Sequence, residues 1–275
     1  MAIGDSGYVF IAGSFQETVQ FGNDVSLTSN GWIDTFIAKY DTSGNCIWAI
    51  NMGGEYDDYC YSIVLDENGN IYGTGSFGRL ADFDPSDEVA NLSYHGPLPL
   101  FSDAFIAKYD STGVIISVIS EPIGTSGNPH EYFLKSSIVD NYGNIFVGGS
   151  IHSASGEYYA FIRKYSSTNL TLLDEEISSS NTSGGGWNNT VFDIVSDGSG
   201  GVYLAGLYQD DMTIGGIYLA PDNTNHQQGF VFHWNSSGNV PWANSIGDIN
   251  ESNLDDFASS IIVDQNNDIL VDREI

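Results

Sequence analysis

Positive charge is scarce in this chain: 7 Lys plus Arg stand against 36 Asp plus Glu, a net charge of -29 over 275 residues. That balance argues against nucleic acid as a partner, because holding phosphates means neutralising them with Lys and Arg. Cations and basic surfaces are the natural counterparts. Cysteine is also scarce. Cys46 and Cys60 fall in different repeats, so two unpaired, partly buried thiols on strands are expected rather than a disulfide. No apolar run is long enough to form a membrane-spanning helix. The five His residues (95, 130, 152, 226, 233) show no metal-ligand spacing. No nucleophile elbow or phosphate-binding loop occurs. The N-terminal residues have neither the basic region nor the apolar stretch of a secretory signal. The repeat pattern begins and ends mid-unit, so a piece of a longer array is expected.

What the chain does have is one motif written four times and begun a fifth. A strand closing on Gly appears as Tyr8 to Phe15, Ile71 to Phe77, Ile145 to Ile151 and Val202 to Tyr208. A second strand type appears as Thr35 to Tyr40, Ala104 to Tyr109, Ala160 to Tyr165 and Gly229 to Trp234. The terminal glycines Gly13, Gly75, Gly149 and Gly206 lie roughly 60 to 75 residues apart, which is too long for one hairpin and suits a four-stranded sheet per repeat. The segments are short, β-branched and aromatic, and Gly and Asn bound them, so they read as strands; no convincing helix is found.

Repeated four-stranded antiparallel sheets are the blades of a β-propeller, and the fold class is all-β. About four blades plus a partial one are expected within a single domain over 1–275. They run approximately over 7–50 (partial), 57–119, 134–177, 188–246 and 259–271 (partial). The runner-up is a β-solenoid or two-sheet sandwich, whose repeats are usually shorter.

Three stretches carry a family likeness. They are Ser62 to Phe77, then Ala81-Asp82-Phe83-Asp84-Pro85, then Asp103 to Asp110; the turn and Trp strand Asp41 to Ala49, followed by Gly53-Gly54, fits as well. In these the chain resembles the SBBP-type β-propeller repeat family of bacterial surface and secreted proteins. The resemblance implies a propeller and an extracellular or cell-surface setting. It implies no chemistry, since one fold hosts many functions.

The turns at Asp41, Asp66, Asp140 and Asp197 read as hairpin connections, with Asp capping its own turn and Gly supplying positive φ. A calcium loop is the alternative, but no bidentate Glu follows at the required distance. Trp48 and Trp242 read as packing between blades. Trp32 and Trp187 lie in stretches rich in Gly, Ser and Asn; partial burial is expected for each, and an exposed ring on which a sugar would stack is the alternative.

One acidic constellation stands out. Asp57-Asp58 aligns with Asp255-Asp256, both within Asp-Asp-x-x-x-Ser-Ile, and Asn188-Asn189 takes the same place in the fourth blade. The long loops after each second strand add Asp82, Asp84, Asp87, Asp210 and Asp211. Solvated charge is one reading. The other is an acidic loop face that binds a cation, with calcium as the candidate cofactor, or docks a protein or glycan. The expected function is a non-catalytic extracellular interaction or adhesion module, with neighbouring repeats or domains of a parent protein as further partners. The alternatives are a polysaccharide hydrolase or lyase using Asp57 or Asp58 with Asp255 or Asp256 as paired carboxylates, and a structural spacer.

Overall fold

The computed structural model describes residues 1–4, 7–22, 24–86, 88–94, 102–121, 131–153, 156–180, 189–209, 211–220, 226–247 and 255–274. Among the described residues every regular element is a strand, and the strands pair antiparallel. The chain forms two compact units, Met1–Leu134 and Lys135–Ile275.

The first unit holds two blades. In one, Ala2–Ile3, Val9–Gln20, Ser26–Tyr40 and Cys46–Gly54 pair in chain order. In the other, Tyr59–Leu65, Ile71–Gly78, Ser102–Tyr109 and Ile115–Glu121 do the same. The loop after Ile71–Gly78 forms a small hairpin, Leu80–Asp82 with Asn91–Ser93, that adds to the outer end of Cys46–Gly54 through Gly53 opposite Asp82. Phe10, Ile37, Met52, Ile63, Phe77, Phe83 and Phe105 are buried together as this unit's core.

The second unit repeats the plan. One blade is Glu131–Val139, Tyr158–Tyr165 and their neighbours Ile145–His152 and Leu172–Ile177, its first strand starting just before the unit boundary. The next is Thr190–Ser196, Val202–Tyr208, Gln228–Trp234 and Trp242–Ile246. Its inserted hairpin, Met212–Ile214 with Ile217–Leu219, bridges to Ser179 at the end of the preceding blade. A last pair, Phe257–Val263 with Ile269–Glu274, closes the described chain.

The repeat is exact at the level of register. Gly13 lies opposite Phe36, Gly75 opposite Phe105, Gly149 opposite Phe161 and Gly206 opposite Phe230. The turns are equally regular. The Oδ1 atoms of Asp41, Asp66, Asp140 and Asp197 each accept two backbone N–H bonds, from the residues two and four positions on, at 2.7–2.9 Å. Bonding from Asn45 holds the Asp41 carboxyl below its usual range, and bonding from Thr112 does the same for Asp110. These carboxylates are spent on turns. Cys46 and Cys60 are both free thiols.

Candidate functional site: an aromatic cleft in the first unit

The site grows from an irregularity in the strand Ser26–Tyr40. Its pairing with Val9–Gln20 runs Gln16 to Ile33 and then Thr18 to Thr28, so residues 29–32 are extruded as a bulge. Bulges of this kind re-aim side chains and occur next to functional sites. The bulge is seated by Gly31, where a Cβ would fall 2.4 Å from the carbonyl oxygens of Gly54 and Glu55. Only glycine allows that approach of two backbones. The bulge is also tied at either side: Asn30 N–H donates to Asp34 Oδ2 at 2.8 Å, and Asp58 N–H donates to the Ile33 carbonyl at 2.7 Å. Trp32 is thereby held with 67% of its surface exposed.

Trp32 forms one side of a cleft of about 390 Å³ together with Tyr56, Asp57, Tyr59, Tyr61 and Arg79. Tyr59 and Tyr61 are alternate residues of one strand and so share a face. Their rings are nearly parallel, 11° apart in plane and 6.1 Å between centroids. The Arg79 guanidinium lies 4.3 Å from the centre of the Tyr56 ring, and Nη1 donates to Tyr56 Oη at 2.5 Å. Burial raises the Tyr59 hydroxyl above its usual range, with the negative charge of Asp57 adding to the effect, so this hydroxyl stays a donor.

Asp58 braces the cleft from behind. It is fully buried; Oδ2 accepts from Gly54 N–H at 2.8 Å and Oδ1 from Gly78 N–H at 3.0 Å. These bonds clamp the two backbones that present Tyr56 and Arg79. Burial pushes its carboxyl up to about 7, against which the two N–H bonds work. Asp34 is also buried and raised by burial, and the two carboxyls flank Gly53, where a Cβ would meet Asp58 Oδ2 at 2.6 Å and Asp34 Cγ at 2.8 Å.

The remaining predicted residues are distributed as follows. Asp82 Oδ1 accepts from Asp84 N–H and Ala90 N–H, and Asp84 Oδ1 accepts from Ser86 N–H, so both shape their loop. Asp82 also lines a second hollow of about 520 Å³ beside Gly53, Tyr56 and Arg79. In the second unit, Asp211 is buried and accepts from Ser180 Oγ at 2.5 Å. Asp255 is exposed, accepts from Gln227 N–H and lies 3.4 Å from His226 Nδ1. Asp256 is buried against the Arg273 guanidinium, with Nη2 2.6 Å from Oδ1. Asp87, Trp187 and Asp210 lie outside the described residues. Among the described residues no three His, Cys, Asp or Glu side chains come together in a way that could hold a metal ion.

The aligned positions share a structural task. Asp58 N–H bonds the Ile33 carbonyl and Asp256 N–H bonds the Gln227 carbonyl, each just before its blade's third-strand Phe segment. Asn189 Oδ1 accepts from Gln209 N–H as Asp58 Oδ1 does from Gly78. The alignment of these pairs is visible in the sequence; their burial is not. Trp32 stands out in the sequence as a candidate, whereas Tyr56, Tyr59, Tyr61 and Arg79 are residues that sequence reasoning misses. The tyrosine density of Tyr56-x-x-Tyr59-x-Tyr61 was the available signal.

Residues 50–76 match the SBBP β-propeller repeat family. The match covers the end of one blade, the Gly53–Asp58 loop and the first strands of the next, and the four-stranded antiparallel sheets are propeller blades. A curated relative, an uncharacterized WD repeat-containing protein of Acanthamoeba polyphaga mimivirus, is 30% identical over 130 residues, which is 45% of this chain. The chain aligns with only 9% of that relative's length. Both likenesses are to repeat proteins, and the chain is a repeat module.

Proposed function

We propose that this chain, which carries an SBBP β-propeller repeat, is a non-catalytic interaction module that docks a partner at the aromatic cleft of its first unit. The exposure of Trp32 carries the reading. A large ring held in solvent by a backbone-seated bulge, beside three tyrosines, is poor for stability and well suited to recognition. Rigid aromatic anchors give contact area at small entropic expense. The Ser-, Asn-, Thr- and Gly-rich composition supports an extracellular setting, where such a module would serve adhesion. The net charge of -29 favours basic or neutral partners over anionic ones. Calcium is proposed, separately, as a stabiliser of the acidic loop at Asp82 and Asp84, whose Oδ1 atoms already accept backbone N–H bonds. A melt in calcium against EDTA, with magnesium as control, should then show a rise in Tm specific to calcium, and no rise would overturn this role.

One observation favours binding over hydrolysis. Asp58 has the raised carboxyl of a general acid, yet it is fully buried with each oxygen already engaged by a backbone N–H. A catalytic acid has to reach its substrate.

The test is binding of the labelled chain to an array bearing both glycans and peptides, with Trp32→Ala in parallel. Retention that is lost in the variant, with the variant's melt unchanged, is the expected result. Equal retention by both proteins, or none by either, would overturn the cleft as the docking site.

A further inference from the structure

We infer that the aromatic cleft takes an uncharged saccharide, offering a pyranose ring two kinds of surface at once. This rests on the cleft being the docking site. Trp32 and the parallel Tyr59 and Tyr61 rings present flat apolar faces. Such faces match the C–H face of a sugar ring. The rim is polar: Asp57, Arg79 and the tyrosine hydroxyls supply acceptors and donors for ring hydroxyls.

Charge then selects among ligands. A cation would be drawn to the ring faces. It would meet the Arg79 guanidinium, which already stands over Tyr56. An anion would meet Asp57 and the field of a chain carrying -29. A neutral molecule with an apolar face and many hydroxyls meets neither penalty, and can bond both Asp57 and Arg79. Pockets that hold small ligands start at about 300 Å³. This one, about 390 Å³ and open to solvent, has room for a short saccharide or the end of a longer one.

Two further details show how the walls of the cleft are held. Arg79 has φ of +52°, a conformation costly for a residue with a side chain. It follows Gly78, whose Cβ, if present, would be 2.7 Å from the Tyr56 Cβ. Close packing and a left-handed turn thus place the guanidinium over the tyrosine ring. On the other side, Gly31 places Trp32. Both walls of the cleft are thus set by backbone geometry. The positive φ of Arg79 recurs at Glu17 (φ +60°), four residues after Gly13 as Arg79 is after Gly75, so the turn belongs to the repeat and the guanidinium it carries is what is particular to the cleft.

The experiment is a titration of the whole chain with glucose, galactose, mannose and N-acetylglucosamine and their short oligomers, read by calorimetry. Glucuronic acid and glucosamine serve as the charged counterparts. Wild type, Trp32→Ala, Tyr61→Ala and Arg79→Gln are compared, each first shown to melt cooperatively. The expected result is saturable binding of a neutral sugar, weakened about tenfold in Trp32→Ala, as loss of one stacking partner predicts. A preference for glucuronic acid or glucosamine over every neutral sugar would overturn the charge argument. Sugar binding unchanged in both Trp32→Ala and Tyr61→Ala would overturn the placement. If the array shows Trp32-dependent peptide binding and no sugar binds, the saccharide inference fails while the docking site stands. If nothing depends on Trp32, both fail together.

Discussion

Gly75 and Phe105 face each other across two strands, and a Cβ on Gly75 would lie 2.8 Å from a Phe105 ring carbon and 1.8 Å from the Tyr59 carbonyl oxygen. The phenylalanine ring lies over the glycine, so the ring fills space that a side chain would otherwise take. Gly206 stands in the same relation to Phe230, with 2.6 Å to the ring and 2.0 Å to the Thr190 carbonyl oxygen. At Gly13 the nearest atoms are Phe36 ring carbons at 3.1 and 3.2 Å. Overpacking of this kind costs about 1–3 kcal/mol, and more where backbone must move. Gly75→Ala and Gly206→Ala are therefore expected to lose at least that much in urea denaturation. Gly13→Ala should lose less, because ring atoms can give way where a carbonyl in a ladder cannot.

That relation shows why the fold was legible. The closing Gly and the Phe strand each recur in local sequence, and local sequence also carries the Asp turns at 41, 66, 140 and 197. The cleft was harder to read. Nothing between residues 32 and 56 announces that they meet. Their contact depends on Gly31 nesting against the Gly54 and Glu55 backbone, a non-local event. The pairs at 57–58 and 255–256 posed the reverse problem. Their alignment was visible, but carboxylates in an acidic chain look solvated until tertiary structure shows which is buried. In each pair the second Asp is buried and the first is less so.

Asp58 makes stability depend on pH in a defined direction. Its carboxyl is raised from the ordinary 3.8 to about 7 in the folded state. The stabilisation is then fully present below about pH 4 and is lost as pH rises through 7, because the unfolded chain releases this proton more readily. Asp58→Asn should flatten that loss. The amide keeps an acceptor for Gly78 and gives up the one for Gly54, as Asn189 does in the second unit, where Oδ1 bonds Gln209 and Nδ2 has no partner among the described residues. Paired urea titrations at pH 4.5 and 8 are the check. The difference between variant and wild type should move in favour of the variant at pH 8. Asp58→Ala leaves two buried donors unmet and should cost about 1–3 kcal/mol at either pH.

The two thiols differ in reach. Cys60 is buried, and burial pushes its thiol up to about 12. Cys46 is half-buried and raised less far, with its Sγ donating to the Trp48 carbonyl at 3.4 Å. The thiolate is the reactive species. Iodoacetamide at pH 8 should therefore mark Cys46 slowly in the native protein and Cys60 only once the first unit unfolds. Peptide mass spectrometry with and without urea reads both sites. Native labelling of Cys60 at the rate of Cys46 would contradict the packing of the strand Tyr59–Leu65.

Arg273 and Asp256 provide the last check, on the C-terminal strand pair. Arg273 Nε and Nη2 both approach Asp256 Oδ1, at 2.8 and 2.6 Å, and the carboxylate side chain is 7% exposed against 37% for the arginine. Removing the guanidinium takes its opposite charge away from a carboxylate held out of water, and breaking a fully buried pair costs about 3–5 kcal/mol. Solvent reaches Arg273, so a smaller loss of about 1–3 kcal/mol is expected for Arg273→Ala. The charge, rather than the shape, is the source of that loss. Asp256→Asn in the same background should therefore recover part of it, since Asn189 shows that an amide serves at the aligned position in the neighbouring blade. A double variant no more stable than Arg273→Ala would mean that the arginine acts through packing of its stem on Phe257–Val263 rather than through its charge.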